Sequence, residues 1–279
     1  MKECKIKLYI AFHEGVNVPQ FGALYPISIH QKDGIHIAEK ESYSELRAHY
    51  WVWKNDSATS EDYVGFFQFR RYLDFSHKPI LSKIKRKWML PYQIRKVPNL
   101  SQYTQEYVLK TVSGFDVIAP IWEYTGISVW DRYGMYPFQR LEDLKLIEKI
   151  ILEKYPEYKV AMNTYFHGLG EYYGNMYVMR WKYFDQYCQW LFDILECFDE
   201  RVYNPLPRTA GYLAERLFGV WFTYQKQQGI KCGELPRVHF SMYDDKTHHF
   251  SRQRIVNCVL HPGSKIRSVV KKFMMRLRG

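Results

Sequence analysis

Hydrophobic and polar positions change period along this chain, and each change marks an element. Lys5–Phe12 alternates and then runs apolar, which reads as a buried first strand, and His13-Glu14-Gly15 follows where a turn into a loop belongs. Tyr25–His30 reads as a second strand. Leu46, His49, Tyr50 and Trp53 recur at helical spacing and end near Lys54-Asn55. Ser42-Tyr43-Ser44-Glu45 precedes them as a capping-box pattern, with Ser42 capping and Glu45 reaching back. Tyr63–Phe69 is an apolar run of strand length. Further on, Phe115–Pro120 and Gly174–Met179 read as short strands, and Gln102–Thr111, Leu141–Lys154, Trp181–Glu200 and Gly211–Gln228 as helices. Strands alternating with helices predict an α/β layered fold. Residues 76–100, basic and interrupted by Pro79, Pro91 and Pro98, read as a solvated loop or flap.

Where the third strand ends, the pattern breaks sharply. Phe67-Gln68-Phe69 runs straight into Arg70-Arg71. A guanidinium is costly to bury unpaired, and its planar fork matches phosphate oxygens bidentately. The competing account is a structural ion pair with Asp62 or Asp74. Asp62 lies at the opposite end of the strand, roughly 20 Å away at the usual rise per residue, so Asp74 is the nearer competitor. Alternation along a strand would turn the two arginines to opposite faces, leaving one for an anion and one to brace the loop.

Composition sharpens this picture in three ways. Twenty-four Tyr, 17 Phe and 8 Trp are enough to line a groove for sugars or nucleobases, although most such rings pack cores. A net charge of +11 favours acidic partners such as nucleotides, nucleic acid or anionic lipid. Five scattered cysteines show no CxxC pair or regular Cys/His spacing, so neither a zinc site nor a disulfide framework is expected, and a reducing cytoplasm fits. Met1–Phe12, with charges spread through it, does not read as a signal peptide, and no apolar run approaches a membrane span.

Two units are expected: residues 1–262 as one domain and 263–279 as a basic amphipathic helix. Ser264–Gly279 carries Lys265, Arg267, Lys271, Lys272, Arg276 and Arg278 with no acid, and its apolar residues recur at helical spacing. That pattern suits a helix lying in a membrane interface. The alternative is a helix docked on the protein with a solvated basic face.

The segment Tyr43-Ser44-Glu45-Leu46 through Tyr50-Trp51-Val52-Trp53-Lys54-Asn55, followed by Phe69-Arg70-Arg71-Tyr72, resembles a family of bacterial glycosyltransferases from capsule, O-antigen and exopolysaccharide loci, long carried as a domain of unknown function. Asn175–Met179, Tyr187–Phe192 and Gly211–Leu217 resemble it too, so the likeness runs in order over roughly residues 5–240. Ser44 stands where that family usually has Cys, and Gln68 where it has His. The stretch Asp131–Asp143 lacks a further family His. The resemblance implies a GT-A-like α/β domain that moves a hexose from a UDP-sugar, galactofuranose in some members, to a lipid-linked or growing surface polysaccharide. The expected setting is cytoplasmic, at the anionic inner leaflet, with a glycan or polyprenyl-linked acceptor. Another UDP-hexose, a non-catalytic assembly protein and a nucleic-acid binder are the alternatives, and no nucleic-acid motif is present.

Such transfer needs the leaving diphosphate neutralised and a general base on the acceptor hydroxyl if configuration inverts. Many GT-A enzymes use a divalent metal held by Asp-x-Asp. Here Gln-Phe-Arg-Arg follows the strand, so Arg70 and Arg71 are expected to do that work, with no metal required. Glu215 is the first candidate base, its alternative being an ion pair with Arg208 or Lys226. Glu171 and Asp131 are fallbacks in loops. His13 is expected near the uracil or ribose, or else as a bonded turn residue. Asn175 beside Gly174 could approach the donor sugar or cap a turn. Glu45 is most simply the capping-box partner.

Overall fold

The computed structural model describes residues 4–80 and 91–243 and, in the tail, residues 260, 266, 267, 269, 270 and 273. The expected boundary at 262/263 lies outside the described residues.

Strand β1 (Ile6–Phe12) pairs in parallel with β2 (Leu24–Ser28) on one side and β3 (Tyr63–Gln68) on the other. Next to β3 comes β9 (Tyr177–Arg180), antiparallel, then β6 (Val117–Pro120) and β10 (Cys232–Leu235). Past Gln68 the chain turns through Phe69-Arg70 into β4 (Arg71–Leu73), which carries the sheet onward to β11 (Arg237–Phe240) and β5 (Tyr92–Arg95). A separate ribbon joins β7 (Glu123–Tyr124) and β8 (Gly170–Glu171).

The continuous apolar run of β3 follows from burial on both faces. Val64 and Phe66 point into one core cluster, while Tyr63 and Phe67 point into the other. Between them, Gly65 leaves room for Leu8 of β1 and Val178 of β9, since a Cβ there would stand 2.7 Å from each. The larger cluster is covered by α1 (Leu46–Asn55), α4 (Leu141–Lys154), α5 (Lys159–Phe166), α6 (Trp181–Arg201) and α7 (Thr209–Gln227). The smaller one takes Val108 and Val112 from α2 (Gln105–Val112). A short helix, α3 (Val129–Tyr133), completes the set. The mixed sheet flanked by helices is the predicted class.

Several expectations change. The stretch 76–100 is not simply a loop: Ile80 bridges to Glu234, and Tyr92–Arg95 is a strand beside β11, while residues 81–90 lie outside the described residues. No capping box forms at α1. Glu41–Tyr43 is a 3₁₀ turn, Ser44 takes φ +51°, and Glu45 stands at the helix start without a side-chain cap bond. The left-handed Ser44 turns the Glu45 carboxylate away from the helix end, and its new partners belong to the site described next.

Candidate active site

The carboxyl ends of β1 and β3 open onto a cavity of about 400 Å³, within the range of ligand-sized pockets. In open α/β sheets this is the crevice where ligands bind, beside a strand whose neighbours lead away on both sides. Ala11 and His13 come from the end of β1, Gln68 to Arg71 from the β3–β4 turn, Ser44 and Glu45 from the start of α1, and Arg208, Gly211, Tyr212 and Glu215 from the start of α7.

Both arginines of the pair line the cavity. The expectation of opposite faces fails because the chain reverses between them: Arg70 lies in the turn and Arg71 opens β4 opposite Gln68. Asp74 is not their partner. It is fully buried and takes Arg95 at 3.1 Å, the Ser76 hydroxyl at 2.6 Å and His77 at 3.8 Å. Arg71 donates to Gln68 Oε1 at 2.9 Å, which aims its guanidinium. Burial, then the neighbouring Arg70, pulls the Arg71 pKa below the usual arginine range. The positive charge of Arg70 beside it disfavours a second charge at Arg71, and a shared anion would offset that cost.

A third cation, Arg208, was not singled out from the sequence. It precedes α7 at φ +64° and its guanidinium lies 5.5 Å from the centre of the Tyr212 ring. The first turn of α7 carries no acidic residue, so no carboxylate of its own offsets the positive helix end. Gly211 lets that end approach the Ser44 turn, where an added Cβ would meet Ser44 Cβ at 3.3 Å.

Two carboxylates face this cationic group. Glu45 Oε1 accepts from Asn175 Nδ2 at 2.9 Å and Gln68 Nε2 at 3.3 Å, while Oε2 lies 3.9 Å from Arg208. Glu215 Oε1 accepts the Gly174 amide at 2.9 Å and Oε2 takes Arg216 at 2.9 Å. Its ion pair is thus with Arg216, not with Arg208 or Lys226. Burial raises the Glu215 pKa, and the nearby Glu45 adds to this, against the lowering effect of Arg216. His13 also lines the cavity. Burial, then Arg208, lowers its pKa, so at neutral pH it is an uncharged hydrogen-bonding group.

The remaining candidates lie behind or beside the cavity. Glu171 belongs to β8 rather than a loop, is 1% exposed, and pairs with Arg216 at 3.2 Å and Arg132 at 3.8 Å. Asp131 sits in the first turn of α3, where its amide takes the Ser128 cap and its carboxylate accepts the Ser128 hydroxyl at 2.6 Å. Neither lines the cavity. Asn175 is buried as well, and its amide links Glu45 to the Gly211 carbonyl at 3.1 Å. It braces the Glu45 carboxylate and does not line the cavity. Gly174 ties two of the surrounding groups together, giving its amide to Glu215 while its carbonyl accepts from Gln68 Nε2 at 3.0 Å.

Among the described residues, three of the four non-glycine residues with positive φ, Ser44, Asn175 and Arg208, surround this one cavity. Backbone strain concentrated in this way marks a place that the rest of the fold over-determines.

Over residues 7–227 the sequence matches the family described as a domain of unknown function, DUF4422. The chain belongs to this family. No functionally curated protein matches it. Among solved structures, the apo form of the bifunctional glycosyltransferase WbbM superposes with a TM-score of 0.73 at 28% identity. The likeness covers 85% of this chain and 45% of WbbM, so the chain spans less than half the length of that protein. The matched family region contains every residue that lines the cavity.

Proposed function

We propose that this DUF4422 chain is a glycosyltransferase whose cavity binds the diphosphate of a nucleotide sugar with Arg70, Arg71 and Arg208. The observation that carries the reading is the pairing, in one pocket at the strand ends, of three guanidinium groups with two carboxylates. The likeness to WbbM, itself titled a glycosyltransferase, supports the same class.

In this reading the acceptor hydroxyl oxygen bonds to the anomeric carbon of the donor while the bond from that carbon to the diphosphate oxygen breaks. The diphosphate leaves with the bonding electron pair, and the arginines neutralise the charge it gains. Glu215 accepts the hydroxyl proton, and configuration inverts. Glu45 holds Arg208 and, through Gln68, the aim of Arg71. His13, neutral, offers a hydrogen bond to the nucleoside. The donor set does not fit a divalent ion, because the pocket presents guanidinium groups and both carboxylates are already engaged by amides or Arg216. The donor is a UDP-hexose, with UDP-galactofuranose the first to test, and the acceptor a lipid-linked or growing surface glycan.

A screen of UDP-sugars tests this. The true donor should raise the melting temperature according to RT ln(1 + [L]/Kd) and support transfer in EDTA as well as in Mg²⁺ or Mn²⁺. Failure of every UDP-sugar to shift or react would exclude the enzyme reading. Activity lost in EDTA and restored by metal would exclude the arginine mechanism alone.

The pH profile tests the base. Because Glu215 titrates above the ordinary carboxylate range, and only its ionised form accepts a proton, kcat/KM should fall as pH drops through that raised pKa. Glu215→Gln should remove the acid limb together with most of the activity. An unchanged limb in that variant would shift the base role to Glu45.

A further inference from the structure

We propose that the C-terminal segment, residues 264–279, docks the protein on an anionic lipid surface. Its described positions are helical, and they are turned the unexpected way round. Ile266, Val269 and Phe273 are 68%, 66% and 64% exposed, whereas Arg267 is 8% exposed and donates to the Leu260 carbonyl at 3.0 Å. Spacings of three and four residues place the three apolar side chains on one stripe. A helix docked on the protein by its apolar face would bury that stripe and leave the arginine in water. The observed exposures are the reverse, so among the described residues this stripe lacks the cover that a docked helix would give it.

Charge says what the cover is. The segment carries six basic residues and no acidic one, which is more than half of the net +11 of the chain. A second copy of the same segment would bring like charges together. A nucleic acid would satisfy the charges and leave Ile266, Val269 and Phe273 in water. An anionic bilayer surface takes both, with the apolar stripe in the acyl boundary and the charge of the five basic residues other than Arg267 balanced by the headgroups. Among the described residues no helix is long and apolar enough to cross a membrane. The inference does not depend on which sugar is transferred, nor on the chemistry of the cavity.

Vesicle co-sedimentation of the full chain tests it, using phosphatidylcholine vesicles with and without about one-third phosphatidylglycerol at moderate salt. The unaltered chain should sediment with the anionic vesicles and stay in solution with the neutral ones. Lys271→Glu with Lys272→Glu, and separately Val269→Ser with Phe273→Ser, should each weaken binding by about 10-fold or more. The Val269/Phe273 variant should keep the unaltered melting temperature, because both side chains are exposed, and the melting temperature of the lysine variant is measured beside it. Equal sedimentation with neutral vesicles, or binding unchanged in both variants, overturns the proposal. So does loss of a dimer in the Val269/Phe273 variant without lipid, which would identify a second copy as the cover. Retention of single-stranded nucleic acid with no vesicle binding overturns it in favour of the nucleic-acid reading.

Discussion

Arg71→Ala should lower kcat/KM for sugar transfer by about 100- to 1,000-fold, the usual effect of removing one preorganised group from a developing negative charge. Arg71 is singled out from the three cations because its position is enforced. It opens β4 directly opposite Gln68, and the Gln68 side chain holds its guanidinium at 2.9 Å while also bonding Gly174 and Glu45. Arg71→Lys keeps the charge but loses the planar fork, so its activity should fall between the two. Gln68→Ala leaves the arginine present but unaimed, and should reduce kcat more than it raises KM. Transfer rates for the four proteins, each checked for an unchanged melting temperature, decide the matter. Wild-type activity in Arg71→Ala would remove this residue from the mechanism.

Arg216→Ala should cost about 3–5 kcal/mol of folding stability, because it strands charges that the fold has removed from water. Arg216 is 3% exposed and joins Glu171 at 3.2 Å to Glu215 at 2.9 Å. Burial works against its charge, but Glu171 and then Glu215 more than offset this and raise its pKa above the usual arginine range. Take the arginine away and Glu171 is left with Arg132 at 3.8 Å and Glu215 with the Gly174 amide at 2.9 Å. The sign of the pH effect follows. Glu215 already has a raised folded pKa from burial, so its ionised form costs stability above that pKa and the cost fades as pH falls and the group protonates. The deficit of Arg216→Ala should therefore be largest at neutral and alkaline pH and shrink in acid. Chemical denaturation at several pH values measures it. A loss under about 1 kcal/mol at neutral pH would mean that water enters the site and solvates the carboxylates.

This second network also explains how the site is held. Glu215 reaches the cavity with one oxygen on the Gly174 amide and the other on Arg216, whose second contact, Glu171, is anchored in β8. Glu171 therefore belongs to the support of the candidate base. The sequence offered both as possible bases, since a glutamate in either place carries the same chemistry.

Local patterns were reliable where burial was simple. The amphipathic period of α4 marks Leu141–Lys154 at both ends, and the run Tyr63–Phe69 differs from the observed β3 by one residue. Both elements bury regular faces, so their composition carries the signal. Strands β4, β11 and β5 left almost none. They are three or four residues long and depend on one another for pairing. α5 was missed although Ala161, Met162, Tyr165 and Phe166 recur at helical spacing, a signal that was there to be read. At Glu45 a good local motif pointed the wrong way. A capping box competes with any tertiary partner for the same carboxylate, and here Ser44 at positive φ hands it to Asn175 and Gln68.

By itself the sequence determined the alternating elements, the strand that ends in Arg70-Arg71, and the excess of positive charge in the last segment. These properties reside in neighbouring residues and their periods. The tertiary structure decided that both arginines face one cavity, that Arg208 joins them, and that Glu45 and Glu215 stand across from them. A turn placed the first pair, and the packing of the α7 start against the Ser44 turn brought together residues more than 160 positions apart. No local pattern encodes such a meeting, because its energy comes from contacts between segments that are strangers in sequence.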